Sequence, residues 1–409
     1  MTGSGTGAGL RALSGSSAGP ATPRAQEGAR GPRIVLVAGE VSGDHQGAEL
    51  ARALRAREPS VRLEGVGGHR MAAAGVRLVA DSSAWGRIGW LEVARDLRAF
   101  ARRLAHLAAW LRAQPPDVLV PIDFPGFNLA LLARVRGLCP VVYYLPPMVA
   151  IRRGRRAARV ARLGARLLAV FPFEAEAYRR AGADVVFIGH PAVDQLQDDE
   201  PADAVRRRLG LPPGAPVLGL LPGSRHQELS WLLRPMVEAA GRLRARHPHL
   251  AVVVARAAPL FAAEIDAALR AAGLPAVVTD GARDAFATSC VVLTASGTAT
   301  VEAMLRGVPM VVAYRTSWST RWLAPLVWNV RWLAMPNILA GAEVVPELRQ
   351  RAVTPERLSA AAGALLSDPA ARARVRRRLL DLARTLGPPG AVGRAADEVL
   401  AASRHRAAR

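Results

Sequence analysis

The chain has 409 residues, with 55 basic residues, every one of them arginine, against 33 acidic ones, for a formal charge of +22. Hydrophobic residues make up 51% and charged ones 22%, a balance that buries a sizeable core and excludes a wholly disordered or fibrous protein. Two cysteines, Cys139 and Cys290, exclude a disulfide framework or a four-thiolate metal site and fit a reducing cytosol.

A helical membrane span needs about 20 apolar residues, and the longest apolar run, Val141 to Ile151, is shorter and is broken by Pro146 and Pro147. A soluble or peripheral protein is expected. The cationic surface suits phosphates, anionic lipid headgroups or nucleic acid, and compositional bias explains the same excess.

Met1 to Arg30 is rich in Gly, Ala, Ser and Thr and lacks the apolar centre of a secretory signal, so residues 1–30 read as a disordered tail. Ile34 to Val37 then reads as a buried strand. The loop Ala38-Gly39-Glu40-Val41-Ser42-Gly43-Asp44 and a helix from Gln46 to Arg57 follow it. Further strands are expected at Val118 to Ile122, Val141 to Tyr144, Leu167 to Val170 and Val185 to Ile188, with Ala/Leu/Arg-rich helices such as Leu91 to Arg112 between them. Alternation of this kind predicts a parallel sheet covered on both faces.

The polar stretch Asp198-Asp199-Glu200-Pro201 reads as a linker, closing a first domain over 31–200. The pattern restarts with a short helix at Ala204 to Leu209. Strands follow at Val217 to Leu221, Ala251 to Val254, Ala276 to Thr279, Val291 to Thr294 and Met310 to Ala313, with a helix at Leu229 to Arg246. The fold expected is α/β, with a second doubly wound, Rossmann-like domain over 201–354 and helices over 355–409. Two such domains place their strand-end loops along a central cleft.

Two loops of the second domain are suited to phosphate. Pro222-Gly223-Ser224-Arg225 lies between strand and helix, where free N–H groups and the helix dipole attract an anion and Arg225 adds a two-pronged contact; an ordinary strand-to-helix turn explains the same residues. Thr294 to Glu302 offers Ser296 and Thr298 as helix caps and phosphate donors, Gly297 for close approach, and Glu302 to accept from a ribose. A plain N-cap with a solvent-facing glutamate is the alternative.

In the first domain Asp123 ends a strand among aromatics, as a base or as an Asx-turn residue, with Asn128 just beyond it. Glu40, Asp44 and His190 are further cleft candidates. No Asp-x-Asp, no Cys/His cluster and no lysine-bearing Walker loop occurs, so no metal or cofactor is expected, and helix dipoles and arginines are left to stabilise a leaving diphosphate.

Trp318, Trp322, Trp328 and Trp332 crowd with Arg321 and Arg331, and Trp85 and Trp90 form a second group with Ile88 and Leu91. They suit a membrane surface, a core or a dimer interface. Arg152, Arg153, Arg155, Arg156, Arg159, Arg162 and Arg166 make a basic run, a solvated helix face or a grip on phosphate or membrane.

Seven segments occur in the order seen in lipid A disaccharide synthases. They are Ala38 to Asp44, Asp123 to Asn128, Phe171-Pro172-Phe173-Glu174, Phe187 to Pro191, Leu221 to Arg225, Ser296 to Glu302 and Met335 to Gly341. The chain resembles that family from about Arg33 to Arg351, as a divergent member. The resemblance implies a GT-B glycosyltransferase that inverts the anomeric centre. It transfers 2,3-diacylglucosamine from UDP to 2,3-diacylglucosamine 1-phosphate, forming a β-1,6-linked disaccharide and releasing UDP.

It further implies a metal-independent enzyme, peripheral to the inner face of the cytoplasmic membrane, with C-terminal segments exchanged in a homodimer. Carried over by motif, Asp123 is the base, and Glu40 and Asp44 shape the acceptor side with His190 and Asn128 nearby. Arg225 with Gly223 and Ser224, together with Ser296, Gly297, Thr298, Glu302 and Asn337, holds UDP. Where the family typically has Ser-Pro-x-Val-Trp-Ala-Trp, this chain reads Pro146-Pro147-Met148-Val149-Ala150-Ile151-Arg152, which leaves open another lipid-linked or phosphorylated acceptor. A UDP-sugar 2-epimerase and a non-catalytic cationic binder are the other classes. The tryptophan-rich segment favours transfer over epimerisation, and an aromatic content of 5%, not interleaved with the arginine run, disfavours a nucleic-acid binder.

Overall fold

A computed structural model describes residues 31–82, 93–148, 155–316 and 331–407. The chain divides into two compact units. One runs through Pro191 and is completed by Pro389 onward, and the other spans Ala192–Pro388.

The first unit is built on β1 (Arg33–Ala38), whose Ile-Val-Leu-Val centre is buried at every position. Around it stand β2 (Arg62–Gly67), β3 (Arg77–Asp81), β4 (Val118–Ile122), β5 (Val142–Tyr144), β6 (Arg166–Ala169) and β7 (Val185–Phe187), all paired in parallel in the order β3-β2-β1-β4-β5-β6-β7. Parallel strands need crossovers, supplied by α1 (Val41–Arg57), α2 (His69–Ala73), α3 (Val93–Ala113), α4 (Pro125–Arg134), α5 (Arg155–Ala161) and α6 (Pro172–Arg180). The order reverses between β1 and β4, so the loops leaving these two strands diverge to opposite faces, the usual seat of a ligand in open α/β sheets.

The second unit repeats the plan with β8 (Val217–Leu221), β9 (Ala251–Arg256), β10 (Val277–Asp280), β11 (Val291–Ala295), β12 (Met310–Tyr314) and β13 (Glu347–Arg349). All are parallel, in the order β10-β9-β8-β11-β12-β13. Its helices are α7 (Ala202–Arg208), α8 (His226–Arg246), α9 (Ala262–Ala271), α10 (Arg283–Thr288), α11 (Thr298–Leu305), α12 (Met335–Ala340), α13 (Pro355–Ser367) and α14 (Pro369–Ala383). Here the reversal falls between β8 and β11. Leu358, Ala362 and Leu365 of α13 enter the same core as Leu232, Met236 and Leu293.

The expected pair of doubly wound domains is present, with two differences at the borders. The division lies at Pro191 rather than after Glu200, because Asp199 is held within the second unit. It accepts from Arg306 through Nε at 2.8 Å and Nη2 at 3.0 Å, and from Arg283 Nε at 2.9 Å. The C-terminal helices also part company: α13 and α14 stay with the second unit, while α15 (Ala391–Ala407) packs on α1 of the first. Arg57–Asp397 and Arg166–Glu398 pairs, each at 2.6 Å, and Arg394 Nε donating to the Ile188 carbonyl at 2.8 Å fix it there. The expected tail over 1–30 lies outside the described residues.

Close backbone approach makes one glycine indispensable. Gly65 pairs with Leu36, its φ is +152°, and a Cβ there would stand 1.8 Å from the Leu36 carbonyl oxygen. β13 carries a second organising residue, Glu347, whose side chain is 5% exposed. Its carboxylate accepts from the Leu333 and Ala334 N–H groups at 3.0 and 2.8 Å, from Asn337 Nδ2 at 2.9 Å and from Arg349 Nη2 at 2.5 Å.

Gly65→Ala should therefore lower unfolding free energy by about 3 kcal/mol or more, since the clash is with backbone that cannot rotate away. Glu347→Ala should cost about 3 kcal/mol, by leaving buried donors without an acceptor. Denaturant titration checks both, and a loss under about 0.5 kcal/mol, the range of neutral surface changes, contradicts either assignment.

Candidate functional site

In the first unit the chemistry gathers where β1, β4 and β6 end. Asp123 and Phe124, leaving β4, both adopt left-handed backbone, with φ of 46° and 48°. Non-glycine residues hold that conformation only where their surroundings over-determine it. They do so here. The Asp123 carbonyl accepts from Asn128 Nδ2 at 2.7 Å and from the Tyr143 hydroxyl at 2.9 Å, and the Asp123 N–H donates to Tyr144 at 3.1 Å. Phe124 then lies on the β1 loop, where a Cβ on Gly39 would stand 2.0 Å from its ring. The half-buried Asp123 carboxylate is thus presented by a strained, triply anchored turn.

The other expected residues of this unit divide by use. Asn128 is fully buried; its amide braces the turn, and its Oδ1 has no hydrogen-bond partner. Asp44 does not stand on the loop as expected, because α1 begins at Val41 and takes it into the first turn. It is 4% exposed and accepts from the N–H groups of Gly68, Met71 and Arg70 at 2.8, 3.0 and 3.1 Å, fixing the start of α2 instead of facing an acceptor. Glu40 is the half-buried N-cap position of α1 at the end of β1. His190 follows β7, 9% exposed, with its ring 5.0 Å from that of Phe171.

Glu174, in the first turn of α6, is 2% exposed. Burial, and after it the charge of Asp123, push its carboxyl up to about 8. Its segment, Phe171-Pro172-Phe173-Glu174, is one of the seven that carry the family resemblance, but the motif assigns the carboxyl no role, and only the packing of α6 separates buried Glu174 from exposed Glu176.

In the second unit the Pro222–Arg225 loop departs from expectation. The Ser224 and Arg225 N–H groups are not free, since both donate to Glu228 Oε2, at 3.0 and 3.4 Å. Arg225 itself is 66% exposed, with its Nη1 3.8 Å from Glu228 Oε1. Tyr314, at the end of β12, is pushed up by burial and by the Glu228 charge, while Thr316 and Arg225 act against that rise.

The neighbouring strand β11 delivers the more open loop. Gly297, and neither Ser296 nor Thr298, is the N-cap of α11. Its φ is +155° and a Cβ there would meet nothing within 4 Å. The N–H groups of Gly297, Thr298 and Ala299 take no acceptor among the described residues. The Ser296 hydroxyl donates to the Leu333 carbonyl at 3.1 Å, so its proton is already engaged. Thr298 is exposed. Glu302, one turn in, is raised chiefly by burial, which Arg306 opposes and Asp199 reinforces.

Asn337 is fully buried and saturated. It donates to the Val345 carbonyl and Glu347 Oε1, both at 2.9 Å, and accepts from the Val344 and Val345 N–H groups at 2.7 and 3.0 Å. It braces the segment between α12 and β13, against the expectation that it holds a nucleotide, because four bonds fill the capacity of an amide.

Among the described residues no group of three or more His, Cys, Asp or Glu side chains is arranged to hold a metal ion, and no helix is long and apolar enough to cross a membrane. Trp85, Trp90, Trp318, Trp322, Trp328, Arg152 and Arg153 lie outside the described residues, as does the altered motif beyond Met148. Trp332 lies beneath Arg331, with the guanidinium carbon 5.4 Å from its ring centre. Of the basic run, Arg159 and Arg162 are exposed, and Arg166 is engaged by Asp184 and Glu398.

A family model described as lipid-A-disaccharide synthetase matches residues 34–386. A lipid-A-disaccharide synthase of Myxococcus xanthus is 41% identical over 371 residues, covering 90% of this chain and 97% of that one. Among solved structures, the UDP-GlcNAc 2-epimerase from Neisseria meningitidis bound to UDP-GlcNAc has a TM-score of 0.60 at 11% identity, covering 90% of this chain and 98% of that one. The glycotransferase of kitacinnamycin has a TM-score of 0.58 at 22% identity, covering 91% and 100%. These two likenesses establish the shared GT-B type of fold. With both nucleotide-fold units in place and the family match running through them, the chain belongs to the lipid-A-disaccharide synthase family and is a glycosyltransferase.

Proposed function

We propose that the chain joins 2,3-diacylglucosamine from its UDP conjugate to the 6-hydroxyl of 2,3-diacylglucosamine 1-phosphate, with Asp123 as base. The strained turn that presents Asp123 carries this reading, because three hydrogen bonds to one turn maintain a costly backbone conformation at that carboxylate. The acceptor hydroxyl gives its proton to Asp123 as its oxygen bonds to the anomeric carbon. The bond from that carbon to the diphosphate breaks on the opposite side, and UDP leaves with the electron pair.

On the donor side, the N–H groups at the start of α11, which meet no acceptor among the described residues, and the exposed guanidinium of Arg225 are suited to the leaving diphosphate. β8 and β11 are adjacent in the sheet, which supports a joint role for their loops. Glu302 is suited to a ribose hydroxyl, and Thr298 to a phosphate oxygen. A solved neighbour of this fold bound to UDP-GlcNAc supports a nucleotide-sugar donor. Acylated substrates and the exposed arginines Arg159 and Arg162 favour work at an anionic membrane surface, read here as the inner face of the cytoplasmic membrane.

Asp123→Asn should lower kcat about 1000-fold, within the span of general-base catalysis, and leave UDP affinity within about twofold. Turnover is read as disaccharide by mass spectrometry, and unchanged turnover removes Asp123 as the base. Arg225→Ala should weaken UDP binding about 10- to 100-fold, the scale of a lost charge-assisted contact, by titration calorimetry. Undiminished affinity rules out that contact.

A further inference from the structure

We propose that Glu174 is the proton-holding partner of Asp123, a positioning residue whose neutral carboxyl leaves the aspartate as the only negative charge of the pair. The inference rests on the reading of Asp123 as base.

The exit of β5 ties the two carboxyl groups together. Asp123, at the end of β4, bonds through its N–H to the Tyr144 carbonyl at 3.1 Å. Three residues beyond Tyr144, the Pro147 carbonyl accepts from the Tyr178 hydroxyl at 2.6 Å, and Tyr178 stands one turn after Glu174 on α6. The half-buried aspartate and the fully enclosed glutamate therefore share one strand-end cluster.

Among the described residues no cation pairs with Glu174 there. On its own helix, Arg179 and Arg180 turn outward to the exposed Glu176, at 2.8 and 3.3 Å. Arg159 of α5 and Arg162 just after it are exposed, and the side chains of Arg155 and Arg156 lie outside the description. Arg166 begins β6 and Asp184 immediately precedes β7, at the far end of the sheet, and they pair there. His190 rests against Phe171, and the Tyr178 hydroxyl is engaged by Pro147. Burial and the Asp123 charge together hold Glu174 protonated up to about 8.

Two like charges sharing a poorly hydrated site do not both ionise readily, and the less hydrated group keeps the proton. The cluster then passes from one negative charge before transfer to none after Asp123 accepts the hydroxyl proton. Above pH 8, ionised Glu174 repels the Asp123 carboxylate from its place, and turnover falls.

The test is the pH profile of kcat for the full chain. A group titrating near 8 and active only when protonated gives about a tenfold fall between pH 7 and 9 in the wild type. Glu174→Gln keeps a neutral side chain of the same size, and should retain at least about half the pH 7 rate and change less than about twofold over that interval. A variant with the wild-type alkaline fall, or a wild type without one, overturns the proposal. Asp123→Asn separates the two readings: if it turns over normally, the base reading fails, whereas an inactive Asp123→Asn beside an unaltered profile in Glu174→Gln rejects Glu174 alone. Should Glu174→Gln not fold, carbon-13 resonances of glutamate carboxyls in the wild type decide. One titrating near pH 8 supports the proposal, and none titrating above about pH 7 rejects it.

Discussion

A parallel strand cannot return to its neighbour through a tight turn, so each one must pass the chain into a crossover that starts at its carboxyl end. That constraint places the chemistry of this protein. Both sheets are parallel throughout, and β1, β4, β8 and β11 are buried along their whole length. At each reversal of strand order two such exits diverge. Glu40 and Asp123 leave the first sheet there, and Arg225 and Gly297 leave the second.

The same constraint decides which polar residues are left for substrate. Strand-exit loops have no ladder, so their N–H and carbonyl groups need other partners. Asp44, Asn128, Glu228, Asn337 and Glu347 supply them, each bonded to backbone N–H or carbonyl groups. Short polar side chains in a strand-exit loop can therefore brace the backbone or meet substrate, and the motif alone does not tell which. What the braces leave accessible is a small set: the Asp123 carboxylate, the Arg225 guanidinium and the N-terminal turn of α11.

The strands of the two sheet centres were legible because they are uninterrupted apolar runs, and such runs bounded by glycine or polar loops admit little but a buried strand. β2, β3 and β13 escaped that reading. β2 carries Arg62, Glu64 and two glycines, and β3 and β13 lie at sheet edges where half-exposed positions need no apolar pattern. Asp123, Arg225 and Gly297 were legible as residues at strand ends. The bracing roles of Asp44 and Asn337 were not, because their partners come from the start of α2 and from the segment leading into β13, both weak in local signal. Glu174 was hidden for the opposite reason: its local sequence resembles a solvated helix start, and only tertiary packing buries it.

Three other carboxylates share a different device, pairing with arginine. Arginine stays charged throughout the accessible pH range, so in a chain with no lysine every neighbouring cation is permanent. Burial pushes Glu64 up, yet hydrogen bonds from Arg77 and Arg33 outweigh it and hold the carboxyl below its ordinary value. Glu347 has Arg349, and Asp199 has Arg306 and Arg283. A protein carrying +22 has cations available almost anywhere, and it enlists them at each of these structural carboxylates. Among the described residues Glu174 is buried without one, under the charge of another carboxylate. A structural role would be served more cheaply by glutamine or by an arginine partner, since an unpaired buried acid weakens the fold as pH rises from its unfolded value toward its native one. Its place under the charge of the strained aspartate is what separates Glu174 from these arginine-paired carboxylates.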